Sequence, residues 1–108
     1  MEPSIRYKAI ADGKVDVVDG YTTDAEVARY HLVVLKDDRQ FFPPYQGAPI
    51  MKTAFLKAHP EVGQSLNRLS GKISEKEMQT MNYQVQVKHQ KASDVARNFL
   101  IKKGLLKV

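Results

Sequence analysis

Short blocks of hydrophobic and polar residues alternate along the first forty positions of the chain. Residues 5–12 carry their aliphatic side chains at helical spacing, with Ser4 as the predicted N-cap and Gly13 as a left-handed cap beyond the end. The valine-rich run at 15–21 has strong β character and predicts a short, buried parallel strand.

A second helix and a second strand are predicted next. Thr23 and Glu26 have the spacing of a capping box, which predicts a helix to about Tyr30 with Thr23 as its N-cap. The compact apolar run at 32–35 is typical of another strand. Because strands and helices alternate, this part of the chain indicates a parallel α/β sheet. Two strands alone make a marginal sheet, so we expect these two to lie within a larger one.

The segment FFPPYQGAP, at 41–49, differs in composition from the rest of the chain, because it contains three prolines and three aromatic residues. Prolines fix φ and remove backbone donors, so the segment is expected to be extended and stiff. It has two interpretations. It is either a loop or edge strand whose aromatic side chains pack inward, or a rigid connector that presents Tyr45. Residues 50–51 extend it as a strand.

The remaining residues have amphipathic helical spacing. Pro60 suits the first position of a helix, Ser74 and Glu77 have capping-box spacing, Ser93 is a predicted N-cap, and Gly104 ends the last helix. The predicted helical stretches are 53–57, 60–69, one that opens at 74 and ends between 83 and 85, and 93–103.

Composition narrows the classes of function. The chain has 108 residues, no cysteine and a formal net charge of +5. The lack of cysteine excludes disulfides, thiol nucleophiles and cysteine metal clusters. The lysines are spread along the chain, and the dense group near the end matches a helix dipole, so a solvated surface is favoured over a nucleic-acid patch. A small basic nucleic-acid-binding or regulatory domain stays open as an alternative. Neither a signal peptide nor a membrane helix of ~20 apolar residues is predicted.

The sequence contains no evident catalytic constellation, because it lacks a G-x-S-x-G elbow and a phosphate-binding glycine loop. His31, His59 and His89 lack metal-ligand spacing and are expected at a helix end, a helix start and a polar loop. Asp16 and Asp19 flank the first predicted strand without forming an evident acid/base pair. We therefore expect no enzymatic activity, no cofactor and no metal.

Two tyrosines are the strongest candidates for ligand contacts. Tyr21 lies just past the predicted first strand, where open α/β sheets place ligands, and Tyr45 lies in the proline-stiffened segment. A tyrosine ring offers its negative face to a cation. Either tyrosine by itself is more often a core or surface residue than a ligand contact. The residues alone therefore locate a candidate site without naming its ligand.

Several motifs of the chain nevertheless resemble one family. They are IRYKAI, GKVDVVDGYTTD, LVVLKDDRQFFPPYQGAP, LNRLSGKISEKEMQTMNYQV and ASDVARNFLIKKGLL. Together they resemble the osmoprotectant-type substrate-binding proteins of ABC importers for glycine betaine, choline and carnitine. The resemblance covers nearly the whole chain. It implies the C-terminal portion of a two-lobe α/β periplasmic-binding-protein fold of type II, with short parallel strands followed by three C-terminal helices.

The resemblance also implies a division of the chain and an extracytoplasmic location. Residues 1–40 would complete the second lobe, 41–51 would be the hinge, and 52–108 would be the C-terminal helical part of the first lobe. A complete binding domain of the family is more than twice this length. The isolated chain is therefore expected to bind ligand weakly or not at all, and to self-associate as a homo-oligomer or swapped dimer.

The family holds the quaternary ammonium of its ligand in a cage of aromatic side chains. The resemblance implies that Tyr21 and Tyr45 belong to that cage and that Thr22 and Thr23 are polar contacts, although helix capping is the preferred role of Thr23. An ABC permease and its ATPase are the implied partners, and nucleic acid is not. Gln46 and Gly47 follow Tyr45 at positions where the family varies, so another trimethylated zwitterion such as ergothioneine is an alternative ligand.

Overall fold

The computed structural model describes residues 2–108, which form six α-helices. They are α1 (Pro3–Ala11), α2 (Ala25–Arg29), α3 (Thr53–Ala58), α4 (Pro60–Asn67), α5 (Glu75–Gln86) and α6 (Ala92–Lys102). The chain divides into two compact units. The first unit joins the stretch up to Val34 with Ser74–Val108, and the second is Leu35–Ile73. Residues 74–108 thus group with the first predicted segment, and the assignment of segments to lobes stays a prediction.

In the first unit, α5 packs against both α2 and α6. The buried apolar side chains of this unit are Tyr7, Ala25 and Val95, and Gln79 of α5 is also buried. Two hydrogen bonds from α5, one from Gln79 to the Thr22 carbonyl and one from Asn82 to the Thr23 carbonyl, add to this packing.

The predicted capping box at the start of α5 is confirmed. The backbone N–H of Glu77 donates to the Ser74 hydroxyl at 3.1 Å, and the N–H of Ser74 donates to the Glu77 carboxylate at 3.0 Å. Two N–H groups that lack a partner inside the helix are satisfied in this way. The sequence therefore fixes the start of α5 locally, before any tertiary contact.

In the second unit, α3 packs against α4. His59 ends α3 and precedes Pro60, which occupies the first turn of α4 as predicted. Gly63 lies so near Leu56 that an added Cβ would be 2.8 Å from the Leu56 Cδ1 atom. The close approach of the two short helices therefore depends on a glycine.

The predicted strands are wrong, because none of residues 2–108 belongs to a strand. A strand exists only when its backbone N–H and C=O groups bond to a neighbouring strand. The hydrophobic runs at 15–21 and 32–35 have β propensity, but neither finds such a neighbour in the structure. Their side chains are exposed accordingly, by 73% at Val17, 84% at Val33 and 76% at Leu35. The predicted strand extension at 50–51 is irregular as well.

The predicted N-caps Ser4, Thr23 and Ser93 are also wrong, although their helices exist. Pro3 occupies the first turn of α1, so that helix begins before Ser4. The other two helices are shifted by one or two residues, and none of the three receives a side-chain cap bond. The residues at the N-cap positions are Glu2, Asp24 and Lys91.

Candidate ligand-binding site

Tyr21 lies at the start of a tight turn that leads into α2. The N–H of Asp24 donates to the Tyr21 carbonyl at 3.0 Å, and the N–H of Tyr21 donates to the Asp24 carboxylate at 3.3 Å. Aspartate commonly closes turns through such side-chain-to-backbone bonds. The Tyr21 side chain is 48% exposed. The turn therefore fixes the Tyr21 backbone while its ring faces solvent in part.

Helix α1 supports this turn from one side. The hydroxyl of Tyr7, a residue only 2% exposed, donates to the Asp24 carboxylate with an O–O distance of 2.5 Å. A Cβ added to Gly20 would collide with that hydroxyl, so the chain passes directly against it. Next to Tyr7, Arg6 Nη1 donates to Asp19 Oδ2 at 2.9 Å. Two consecutive residues of α1 thus hold the segment that carries Tyr21.

Tyr7 keeps the hydroxyl proton that it donates to Asp24. Burial, followed by the hydrogen bond to Asp24 and the charge of that carboxylate, raises the pKa of Tyr7 above its usual value. A phenol in contact with a carboxylate and away from water resists losing its proton, because the product would be a second negative charge beside the first. The Tyr7 hydroxyl consequently remains a donor to Asp24 at neutral pH.

Helix α5 supports the turn from another direction. Gln79 Nε2 donates to the Thr22 carbonyl at 3.0 Å, and Asn82 Nδ2 donates to the Thr23 carbonyl at 2.8 Å. The two amides lie three residues apart and so share one face of the helix. They satisfy the carbonyls in the middle of the turn, which places Thr22 and Thr23 through their backbones.

Tyr45 lies in the second unit, in the irregular segment after Leu35, and is 73% exposed. Phe41 and Phe42 are also exposed, by 81% and 66%, so the interpretation in which these aromatic side chains pack inward is wrong. Their rings meet edge to face at 5.1 Å. The segment thus presents its aromatic side chains outward.

Asp37 organises the loop before the two phenylalanines. Its carboxylate accepts the backbone N–H groups of Phe41 at 3.0 Å and Phe42 at 2.9 Å. These two bonds, with that of Phe42 the stronger influence, hold the pKa of Asp37 below its usual value. The aspartate is therefore a turn-forming residue.

Of the predicted site residues, the structure brings Tyr21, Thr22 and Thr23 together in one turn and places Tyr45 in the other unit.

The residues that support this turn were not predicted from the sequence. Asp24 stands inside the motif YTTD and could have been recognised as a turn-closing aspartate. The remaining three, for which the sequence offers no local signal, are Tyr7, Gln79 and Asn82.

The histidines lie where their sequence contexts predict. His31 follows α2 with φ 53°, His59 precedes α4, and His89 lies between α5 and α6 with φ 55°. Within residues 2–108, no three side chains of the kinds that bind metals come close enough to hold an ion. No helix in this described range has the length and apolarity needed to cross a membrane.

Comparison with known proteins shows which family the chain belongs to. The family model for the substrate binding domain of ABC-type glycine betaine transport systems matches residues 1–102. The chain belongs to this family. The predicted family is thus confirmed, and it is a family of substrate-binding domains and not of enzymes.

Three relatives indicate the range of ligands in the family. The carnitine transport binding protein OpuCC of Listeria monocytogenes is 42% identical over 94% of this chain and 33% of its own length. The ergothioneine transport permease/ergothioneine binding protein EgtU of Helicobacter pylori is 39% identical over 97% of this chain and 19% of its own length. The glycine-betaine-binding protein of Pseudomonas aeruginosa is 32% identical over 98% of this chain and 34% of its own length.

A solved structure supports the same assignment. The crystal structure of a glycine betaine/carnitine/choline ABC transporter covers 97% of this chain with a TM-score of 0.82 and 43% sequence identity. The chain corresponds to 39% of that protein. The predicted fold class is thus confirmed as a fragment of a periplasmic-binding-protein fold, without its predicted strands. The chain spans about a third of the length of OpuCC.

Proposed function

We propose that this chain is part of the solute-binding component of an ABC importer for quaternary-ammonium osmoprotectants of the glycine betaine, choline and carnitine class. The family match across residues 1–102 carries the proposal. The solute would be held between two lobes and delivered to a permease driven by its ATPase. The location that fits this task is extracytoplasmic, on the side from which the solute arrives.

The chemistry of the ligand fits tyrosine. A trimethylammonium group has a permanent positive charge and no N–H to donate, so aromatic faces bind it better than hydrogen-bond acceptors do. Tyr21 and Tyr45 are both substantially exposed, and each would supply one wall of an aromatic cage. Tyr21 is supported by a turn with several fixed hydrogen bonds, which reduces the entropy lost on binding.

Thr22 and Thr23 would contribute polar contacts through their side-chain hydroxyls. Their carbonyls already accept amides of α5 and are therefore committed to the turn. Thr23 is not the N-cap of α2, since Asp24 occupies that position. The capping role that competed with ligand binding at Thr23 is thus removed, which favours the proposal for this residue.

Ergothioneine is the second candidate ligand. The observation that favours it is the 39% identity to EgtU, a permease and ergothioneine binding protein. The quaternary ammonium is shared by both ligand classes, so the tyrosine cage would serve either. Discrimination would come from the contacts to the rest of the ligand.

Calorimetric titration of the complete reading frame that contains this chain tests the proposal. We expect binding of at least one of glycine betaine, carnitine, choline and ergothioneine. Tyr21→Leu and Tyr45→Leu should each weaken binding about tenfold, whereas the phenylalanine variants, which keep the aromatic face, should bind nearly as the parent does. Phe41→Leu is the control for Tyr45, since it changes an exposed aromatic side chain of the same segment.

Two results would contradict the proposal. One is the absence of binding to all four solutes by the complete protein. The other is unchanged affinity in both leucine variants, which would exclude these tyrosines from the site. A DNA affinity that falls steeply with salt, together with no solute binding, would favour the nucleic-acid alternative instead. We expect the 108-residue chain alone to bind these solutes weakly or not at all.

A further inference from the structure

We propose that Tyr7 is a positioning residue for Tyr21, acting through the Asp24 carboxylate. The inference rests on the proposed function only in that Tyr21 is the ligand contact. The physical link itself consists of observed contacts inside the first unit. It adds to the site a residue that does not itself face the ligand.

The first step in the link is the bond between Tyr7 and Asp24. Its 2.5 Å length is that of a charge-assisted O–H···O bond, which is about twice as strong as a neutral one. Tyr7 is 2% exposed, so water cannot readily replace its hydroxyl as the donor. Loss of this donor would leave the inner side of the Asp24 carboxylate without its principal buried partner.

The second step is the bond between Asp24 and Tyr21. The same oxygen of Asp24, Oδ2, accepts the Tyr7 hydroxyl and the Tyr21 N–H. A displacement of that oxygen therefore moves the acceptor of the Tyr21 backbone directly. The Tyr21 bond is 3.3 Å long, at the weak end for an N–H···O bond. The Tyr21 backbone also makes a hydrogen bond to the Tyr7 hydroxyl, so Tyr7 contacts Tyr21 directly as well as through Asp24.

Gly20 supplies an independent observation on the same link. A Cβ at this position would clash with the Tyr7 hydroxyl and lie 3.2 Å from the ring carbon that bears it. The backbone immediately before Tyr21 thus passes so close to the buried phenol that no side chain fits there. Gly20→Ala should displace the phenol without removing any hydrogen-bonding group, and so it probes the link from the opposite side.

Amide hydrogen exchange of the labelled 108-residue chain tests the positioning without any ligand. We expect Tyr7→Phe and Gly20→Ala to speed exchange of the Tyr21 and Asp24 amides about tenfold, while α6 keeps its protection. The matched control is Tyr83→Phe, which removes a hydroxyl from another tyrosine of the first unit. Asp24→Asn retains an acceptor oxygen for Tyr7 and should give a smaller effect.

Titration of the complete protein then tests the consequence for binding. Tyr7→Phe should weaken solute binding about tenfold, and Tyr83→Phe should leave it unchanged.

Unchanged Tyr21 exchange and unchanged affinity in Tyr7→Phe would overturn the proposal. Faster exchange in Tyr7→Phe with no solute binding by the parent protein would support the positioning and contradict the proposed function. If Tyr7→Phe loses the helical circular dichroism signal, Asp24→Asn decides, and its failure to alter Tyr21 exchange would overturn the link.

Discussion

The ammonium of Lys103, the residue that follows α6, lies 2.6 Å from Oε1 of Glu77 in the first turn of α5. The other carboxylate oxygen of Glu77 accepts the N–H of Ser74 at 3.0 Å. The hydrogen bond from Lys103, followed by that from Ser74, lowers the pKa of Glu77 to about 2. One carboxylate therefore caps α5 and connects it to the end of α6.

This relationship predicts an acid-dependent loss of stability. The Glu77 pKa is lower in the folded chain than its usual value of 4.5, so its contribution is fully present above that pH. The contribution is lost as the pH falls from about 4.5 toward 2, where the carboxylate takes up a proton.

Urea titrations followed by circular dichroism should show Glu77→Gln less stable than the parent at pH 7, with the difference shrinking across that range. Glu75→Gln is the matched control, since Glu75 is an exposed carboxylate in the same helical turn. An equal gap between parent and Glu77→Gln at pH 7 and pH 2 would contradict the assignment.

The two serines predicted as N-caps should differ in their effect on stability. Ser74 accepts the N–H of Glu77, whereas Ser93 lies inside α6 and receives no cap bond. Ser74→Ala should lower the free energy of unfolding by about 1 kcal/mol, and Ser93→Ala should change it little. Thermal or urea unfolding of the two variants makes the comparison. Equal losses in both would show that α6 begins where the sequence predicts and not at Ala92.

The amide of Gln79 should matter more than that of Gln86 at the end of the same helix. Gln79 is buried and donates to the Thr22 carbonyl, and Gln86 is exposed. Gln79→Ala should lower stability by about 1 kcal/mol and increase amide exchange in α2, because the Thr22 carbonyl loses the bond from this buried amide. Gln86→Ala is the control. Unchanged protection of α2 in Gln79→Ala would mean that the packing of α5 on α2 does not depend on this bond.

The exposed apolar run at 32–35 predicts self-association. Val33 and Leu35 expose 84% and 76% of their surface, and unpaired apolar segments of this kind are prone to pair with other chains. Light scattering should show a dimer or larger species at high concentration, and Val33→Lys or Leu35→Lys should shift it toward monomer. Gln86→Lys adds the same charge at an exposed polar position and should leave the distribution unchanged. A monomeric parent chain at high concentration would contradict this prediction.

Local signals in the sequence predicted the helices well. The capping box at Ser74 and the helix-starting position of Pro60 depend on neighbours only a few residues away. The predicted N-cap at Thr23 failed because Asp24, next to it, has its carboxylate fixed by Tyr7 from another helix. The choice between two adjacent polar residues was thus made by a tertiary contact.

The candidate site shows the same division. The motif GYTTD and the segment FFPPY, with the family that they resemble, were sufficient to indicate four candidate site residues. These are Tyr21, Tyr45, Thr22 and Thr23. The contacts that hold the turn come from Tyr7, Gln79 and Asn82, which lie 17, 57 and 59 residues from their partners. No local pattern announces such contacts, since a buried phenol and a helix amide look like ordinary core and surface residues.

The sequence by itself determined where the helices lie, which aromatic residues are candidate ligand contacts and which family the chain belongs to. These properties follow from spacing, capping chemistry and motifs that are read along the chain. Only the tertiary structure decided that the valine-rich runs form no strand, because strand formation requires a bonded neighbour that β propensity cannot supply. It also decided that Tyr7, through Asp24, supports the turn of Tyr21, because a buried hydrogen bond depends on which distant side chains meet.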